Sequence, residues 1–264
     1  MVMELPPIVK DPPPENTRRI LLTLSYDGTR YAGWQWQDNA VAVQQRLEEA
    51  LFALTGEKIR VTGASRTDAG VHALGQRAHF DTRSPIPADR FPFALNPHLP
   101  PDIRVLAGQQ VPGSFHARFD AKGKKYTYRI FNHPHASALY RNLTAHIPQK
   151  LDVELMKRNL PDLLGTHDFA AFQASGGTAK TTLRTLTAAQ LTREGDILTL
   201  TVEGNAFLYN MVRIIAGTLT DMGMGRIKSG AFRRALETGN RLDLGITAPA
   251  SGLELTEIRY DGIP

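Results

Sequence analysis

The first 111 residues alternate between strand-like and helix-like hydrophobic patterns. Val43, Leu47 and Leu51 recur at helical spacing opposite a face of glutamine and glutamate, which predicts an amphipathic helix packed on a sheet. Ala78 and Phe80 alternate with polar neighbours, which predicts a half-buried strand. The predicted elements are strand 19–25, helix 41–55, strand 58–61, strand 76–81, helix 87–95 and strand 103–111. This β-α-β-β-α-β order is that of a ferredoxin-like unit.

The rest of the chain gives a second set of alternating elements. Tyr126, Tyr128 and Ile130 share one face of a predicted strand. The elements predicted after it are helix 152–159, strands 183–191 and 196–204, helix 206–219, a helix from an N-cap at Ser229 to Thr238, and strand 253–260. Alternation in the last strand breaks near Glu257, which predicts a bulge or a sheet edge. The chain is therefore predicted to be an α+β protein.

The predicted helix 206–219 is apolar on nearly every side, and Arg213 lies in its middle. Such a helix is mostly buried, and a guanidinium cannot lose its proton. Leaving that charge buried without a partner would cost about 3–5 kcal/mol. Positions 209, 210, 216 and 217, one helical turn away, carry no carboxylate. Arg213 is therefore predicted to reach a carboxylate, a phosphate or water from elsewhere in the fold.

The amino-acid composition excludes several kinds of functional site. The chain has 264 residues, no cysteine, a net charge of +5 and a pI near 9.5. Without cysteine there is no disulfide, thiolate metal site or cysteine nucleophile, which fits a reducing cytoplasm. The basic charge favours a polyanionic partner. Charged residues interrupt every apolar run, so no membrane association is expected. Residues 1–17 are proline-rich and are predicted to form a disordered tail.

A loop of small residues carries the most suggestive carboxylate. Residues 63–73 read GASRTDAGVHA, and Asp68 is their only acidic residue. A glycine-closed loop between two strands can hold a side chain rigidly at a cleft. The same letters also suit an ordinary Asx-turn, or a capping box from Ser65 to Asp68. The local pattern alone therefore favours a simple turn.

The most basic part of the chain lies between residues 118 and 129. It holds five cations and one acidic residue, Asp120. Phosphates would relieve the repulsion among these cations, although a solvated loop is an equally good interpretation. The five cations are Arg118, Lys122, Lys124, Lys125 and Arg129.

Several segments resemble the tRNA pseudouridine synthase A family, and they occur in the family's order. They are YAGWQWQ at 31–37, GASRTDAGVHA at 63–73, FHARF at 115–119, KYTY at 125–128, GTHDFAAF at 165–172 and NAFLYNMVR at 205–213. The resemblance covers about residues 19–261 and makes Gln35 and Gln37 additional site candidates. Ile214 departs from the family, which often has asparagine there, and this departure affects a neighbouring polar contact.

The resemblance implies both a fold and a chemistry. The implied fold has two ferredoxin-like halves, 18–116 and 117–264, which share one continuous antiparallel sheet with helices on one face. The implied protein is a homodimer that needs no cofactor or metal. It would convert uridines 38, 39 and 40 in the anticodon stem–loop of tRNA to pseudouridine. That reaction breaks an N–C glycosidic bond and rejoins the uracil through carbon, and an aspartate can act as its nucleophile.

Residue roles follow from the same resemblance. Asp68 is expected to be the essential catalytic residue, and Arg213 to keep Asp68 ionised and oriented. Tyr126 is expected to stack on the target base and to pass a proton. The residues expected to contact RNA are Arg66, which would fill the space left by the flipped nucleotide, and the backbone-binding Arg118, Lys122, Lys124, Lys125 and Arg129.

Two other classes of function stay open at this point. A non-catalytic RNA-binding module could present aromatic side chains on a ferredoxin-like sheet, although binding alone does not need an inward-facing arginine. A metal-dependent phosphodiesterase could use Asp68 with His72 or His79. His133 and His135 are the one closely spaced histidine pair, and the proline between them argues against a metal site there.

Overall fold

The computed structural model describes residues 13–263. Most of the predicted disordered tail, residues 1–17, lies outside the described residues. At its end, the backbone N–H and the hydroxyl of Thr17 both donate to the Pro14 carbonyl, at 3.2 and 2.6 Å. None of the helices between residues 13 and 263 is long and apolar enough to cross a bilayer.

Residues 13–263 form ten strands and five α-helices, joined by short 3-10 turns. The strands are β1 (Arg18–Tyr26), β2 (Thr62–Gly63), β3 (His72–Thr82), β4 (Ile103–Val111), β5 (Gly123–Phe131), β6 (Ala145–His146), β7 (Gly165–Asp168), β8 (Leu183–Glu194), β9 (Ile197–Gly204) and β10 (Leu253–Arg259). The helices are α1 (Val43–Thr55), α2 (Phe91–Leu95), α3 (Val153–Asn159), α4 (Met211–Gly223) and α5 (Ala231–Thr238).

All ten strands join one sheet, whose main path runs β4-β1-β3-β10-β5-β9-β8-β7, with β2 on β3 and β6 on β5. The last strand, β10, joins the two parts of the chain: it runs parallel to β3 and antiparallel to β5. The long chain between β3 and β10 supplies the crossover that a parallel pair needs. The α+β prediction is confirmed, but the prediction of a wholly antiparallel sheet is wrong, because β6 also runs parallel to β5. The division into ferredoxin-like halves and the placement of all helices on one face stay predictions.

The strongest hydrophobic patterns gave the best element boundaries. The predicted helix 41–55 is α1, and the predicted strand 103–111 coincides with β4. Strand β9 alternates between buried and partly buried residues along its whole length, as a strand pattern requires. The break predicted near Glu257 is a register shift between Leu255 and Glu257, so the bulge in β10 is confirmed.

Three boundaries differ because loops replace predicted regular structure. Residues 58–61 are not a strand, and the short pairing next to the Asp68 loop is β2, one residue further along. The helix predicted from residue 206 begins only at Met211, since Asn210 before it has a left-handed backbone with φ of 61°. The last helix is capped by Gly230 and not by Ser229, whose hydroxyl instead donates to Asn159 at 3.1 Å.

Strand β3, which follows the Asp68 loop directly, is buried more fully than predicted. Its polar residues Arg77 and His79 were expected to face solvent, but both are buried. The Arg77 guanidinium lies 5.7 Å from the centre of the Tyr260 ring, and the His79 ring packs edge-on against Phe115. The rings of Phe115 and Tyr260 thus cover these two side chains, and β3 itself lies between β1 and β10.

Candidate active site

The loop that carries Asp68 is held by hydrogen bonds from β3, which follows it, and from β1, which pairs with β3. The fully buried Gln76 in β3 donates to the Ser65 carbonyl at 2.7 Å and accepts from the Ser65 N–H at 3.2 Å. The hydroxyls of Tyr26 and Thr67 are 2.7 Å apart. These bonds fix the backbone on both sides of Arg66, so Asp68 is presented by a rigid turn.

The aromatic segment at residues 31–34 packs beneath this loop. The Trp34 N–H donates to the Thr67 carbonyl at 3.0 Å, and the Gly70 N–H donates to the Tyr31 carbonyl at 3.2 Å. Gly33 has a φ of 92°, and a Cβ there would lie 2.4 Å from the Thr67 oxygen, so the approach requires glycine. Tyr31 and Trp34 are buried, so these two rings pack in the core and are not free to stack on bases.

Asp68 and Arg213 come together from the two ends of the chain. The Asp68 Oδ2 atom lies 3.7 Å from Arg213 Nη1, and the two side chains are 23% and 18% exposed. Arg213 is anchored more closely by neutral acceptors: its Nε donates to the Ala248 carbonyl and its Nη1 to Asn210 Oδ1, each at 2.8 Å. Asn210 lies three residues before Arg213, so an acceptor is available within one helical turn, contrary to the expectation from sequence.

The Asp68 carboxylate keeps unused hydrogen-bonding capacity. Its contact with Arg213 is 3.7 Å long, more than an ordinary hydrogen bond, and among residues 13–263 no backbone N–H donates to its oxygens as an Asx-turn or capping box requires. Desolvation raises the pKa of Asp68 above its usual value, and the nearby charge of Arg213 only partly opposes this rise. Arg213 thus acts in the expected direction, but desolvation of the carboxyl outweighs it. A partly desolvated carboxylate beside a fixed cation is suited to attack an electrophilic carbon.

Tyr126 lies in β5 and is bonded to the Asp68 loop. Its hydroxyl is 2.9 Å from Ser65 Oγ, and its ring packs edge-on against Phe207, with 5.0 Å between centroids. Burial raises the pKa of Tyr126 to about 12, to which the negative charge of Asp68 contributes. The phenol therefore keeps its proton at neutral pH. Only 7% of the residue is exposed, and Ser65 is the hydrogen-bond partner of its hydroxyl.

The structure divides the six cations expected to contact RNA into three sets. Three of them contact carboxylates. These are Lys122 with Asp261 at 3.3 Å, Lys125 with Glu203 at 3.6 Å and Arg129 with Glu254 at 3.0 Å. Arg66 and Arg118 are exposed, and the pKa of Arg118 is lowered by desolvation and by the charge of Arg66. Lys124 turns inward and donates to the Ala64 carbonyl at 2.9 Å and to Ser65 Oγ at 3.2 Å.

Three further residues belong to this site. Asn210 orients Arg213, Ser65 connects Lys124 with Tyr126, and Arg184 adds positive charge near Lys124. Asparagine before a helix is a familiar N-cap signal and could have drawn attention to position 210. Ser65 and Arg184 carried no such signal, because their roles depend on long-range contacts.

The other candidates named from the sequence form hydrogen bonds with residues other than Asp68 and Arg213. The Gln35 amide donates to Gln44 Oε1 at 3.4 Å, and the Gln37 amide donates to the Ala32 carbonyl at 2.8 Å. His72 Nδ1 accepts from the Gly28 N–H, and His79 Nδ1 accepts from the Ala117 N–H, each at 3.1 Å. Desolvation, with the charge of Arg19, lowers the pKa of His79 to about 3. The described part of the chain contains no group of three or more His, Cys, Asp or Glu side chains arranged to hold a metal ion.

Comparison with known proteins places this arrangement in a family. The family model for tRNA pseudouridine synthase matches residues 23–120 and 161–261. The tRNA pseudouridine synthase A of Acetivibrio thermocellus is 51% identical over 243 residues, covering 92% of this chain and 100% of that protein. The enzyme of the same name from Ruminiclostridium cellulolyticum is 49% identical over 244 residues, with the same coverage. The matched ranges contain Asp68, Arg213 and their supporting residues Ser65 and Asn210, and on this evidence the chain belongs to the tRNA pseudouridine synthase family.

Proposed function

We propose that this protein isomerises uridine to pseudouridine at positions 38, 39 and 40 in the anticodon stem–loop of tRNA. The observation that carries the proposal is the open Asp68 carboxylate, 3.7 Å from an arginine that is anchored independently, in a chain of this family. Family membership also favours catalysis over a non-catalytic RNA-binding module, because the relatives at 51% and 49% identity are named as synthases.

The reaction rearranges one nucleoside without an external reactant. The bond between uracil N1 and ribose C1′ breaks, the base turns, and a new bond forms from C5 to C1′. The proton on C5 is lost and N1 gains one, so the atoms balance. Asp68 supplies the nucleophile, either at ribose C1′ or at uracil C6. The target base must first leave its stack, which costs a few kcal/mol that contacts to the RNA must offset.

The residues around Asp68 have separate roles in the reaction and in RNA binding. Arg213 stabilises the ionised carboxylate, and it is held in place before substrate binds because Asn210 and the Ala248 carbonyl anchor it. Tyr126 keeps a proton at neutral pH, and its hydroxyl is bonded to Ser65 of the loop that carries Asp68. The exposed Arg66 and Arg118 attract the RNA backbone, and Arg66, two residues from Asp68, fills the gap left by the flipped nucleotide. The active form is a homodimer in the cytoplasm.

Tritium release tests the proposal directly. Transcribed tRNA labelled with tritium at uracil C5 should lose tritium on incubation with the wild-type protein, since C5 gives up its hydrogen when the new bond forms. Asp68→Asn should abolish release and leave tRNA affinity nearly unchanged. Transcripts with cytidine at position 38, 39 or 40 would show which uridines react. Binding without release by the wild type would favour the RNA-binding module, and release by Asp68→Asn at the wild-type rate would contradict the role of Asp68.

A further inference from the structure

Lys124, Ser65 and Tyr126 form a continuous chain of hydrogen bonds next to Asp68. Lys124 Nζ is 3.2 Å from Ser65 Oγ, and Ser65 Oγ is 2.9 Å from the Tyr126 hydroxyl. A second bond, 2.9 Å long, joins Lys124 Nζ to the Ala64 carbonyl. The chain therefore connects β5 with the loop that carries the catalytic carboxylate.

The donors and acceptors fix the first half of this chain. An ammonium group can only donate, so Ser65 Oγ accepts from Lys124. The Ser65–Tyr126 bond can run in either direction, since each hydroxyl carries one proton and both residues are 7% exposed. In the order Lys124 to Ser65 to Tyr126, the proton without an acceptor among residues 13–263 is that of the phenol, and in the opposite order it is that of Ser65. Only the first order leaves Tyr126 with a proton to donate.

We propose that Lys124 and Ser65 are positioning residues, which fill the acceptor side of the Tyr126 hydroxyl and leave its proton free to be donated to the uridine. The proposal deepens the proposed function and rests on it. Burial holds the pKa of Tyr126 near 12, so this proton is present throughout the neutral range. Tyr126 then enters the reaction already oriented, and no reorganisation is needed when the base arrives.

This role differs from the phosphate contact expected for Lys124 from sequence. Two of its three ammonium protons are used inside the protein. Desolvation, together with the charges of Arg118 and Arg184, lowers the pKa of Lys124 to about 8. A phosphate ligand should control tRNA affinity and its salt dependence. A positioning residue should control the rate of the bound complex and leave affinity unchanged.

The test compares single-turnover tritium release at saturating tRNA. Lys124→Met and Ser65→Ala should each lower the rate about tenfold, and the double variant should fall no further than the slower single variant. The affinity for tRNA and its salt slope should stay within about twofold of wild type. Lys58→Met removes a charge from an exposed lysine of the N-terminal half and should leave rate and affinity unchanged.

A Tyr126→Phe background separates positioning from a general structural effect. Without the phenol hydroxyl, Lys124→Met should cause no further loss of rate, because its path to the substrate is gone. An equal loss in both backgrounds would overturn the proposal, as would an unchanged rate with weaker binding. Thermal unfolding of each variant checks that it is folded.

One readout does not depend on turnover. In protein labelled with carbon-13 at tyrosine Cζ, Lys124→Met and Ser65→Ala should both move the Tyr126 resonance, which Tyr126→Phe identifies. Movement of this resonance together with a wild type that releases no tritium would contradict the proposed function and support the hydrogen-bond chain. An unmoved resonance would contradict the chain itself.

Discussion

Two of the arginine–aspartate pairs that join distant parts of residues 13–263 are built differently. Arg19 donates two hydrogen bonds of 2.8 Å to the Asp81 carboxylate. Its remaining nitrogen donates to the carbonyls of Gly113 and Phe115, each at 2.7 Å. Arg213 approaches Asp68 at a single contact of 3.7 Å. The first pair uses the hydrogen-bonding capacity of its carboxylate, whereas the second leaves most of it open.

This difference separates a structural pair from one suited to chemistry. In the Arg19 pair, two short bonds hold both carboxylate oxygens of Asp81, so this carboxylate cannot turn toward another group without losing them. In the Arg213 pair, Asn210 and the Ala248 carbonyl orient the cation. The Asp68 carboxylate is thus free to move toward a substrate atom without loss of its counter-charge. Preorganisation here comes from neutral acceptors behind the arginine.

The largest effect should appear in the stability of two matched variants. Asp81→Asn should lower the free energy of unfolding by about 3 kcal/mol, because it leaves the Arg19 charge buried without its carboxylate. Asp68→Asn should leave stability unchanged or raise it. Urea unfolding at neutral pH measures both, and equal losses would show that the two pairs are alike.

The sign for Asp68 follows from its pKa. Folding raises the pKa of this carboxyl, so the folded state favours the protonated form. The stabilising contribution of this group is therefore fully present below the unfolded pKa and is lost as pH rises through the folded pKa. The advantage of Asp68→Asn over wild type should accordingly shrink as the pH falls below about 4.

The second prediction concerns Asn210, whose side-chain oxygen accepts a hydrogen bond from Arg213. Asn210→Ala and Asn210→Gly both remove the amide oxygen, so both should slow tritium release about tenfold. Only the alanine variant should also lose stability, by about 1 kcal/mol, because Asn210 has a φ of 61° and glycine tolerates that conformation. Wild-type rates in both variants would mean that the Asn210 amide is not needed to orient Arg213.

The sequence predicted the participants in this site better than their geometry. The family motifs pointed to Asp68, Arg213 and Tyr126, and hydrophobic periodicity gave α1 and β4. The Ala248 carbonyl that anchors Arg213 has no side-chain signature, since any residue supplies a backbone acceptor. The inward turn of Lys124 and the parallel pairing of β10 with β3 depend on which distant strands meet. Local sequence patterns do not encode such long-range contacts.

The pH dependence of kcat/KM tests how the Arg213 charge acts on Asp68. Because desolvation raises the pKa of Asp68, the acidic limb of kcat/KM should lie above the usual carboxylate value of about 4. Arg213→Gln removes the opposing charge, so it should move this limb to higher pH as well as lower the maximal rate. Profiles between about pH 4 and 8 cover the range. A limb that moves to lower pH would contradict the assigned role of Arg213.

The smallest expected effect is on the salt dependence of tRNA binding. It should differ between cations that already contact a carboxylate and exposed cations that do not. Arg118→Ala should reduce the slope of log affinity against log salt by about one unit, because this exposed arginine can release a counterion from a phosphate. Lys125→Ala should change the slope less, since Lys125 already lies 3.6 Å from Glu203 and must leave that partner to contact RNA. Filter binding of tRNA over a salt series measures both slopes. A larger change for Lys125 would mean that the RNA backbone follows β5 itself, past Glu203, and not the exposed surface around Arg66 and Arg118.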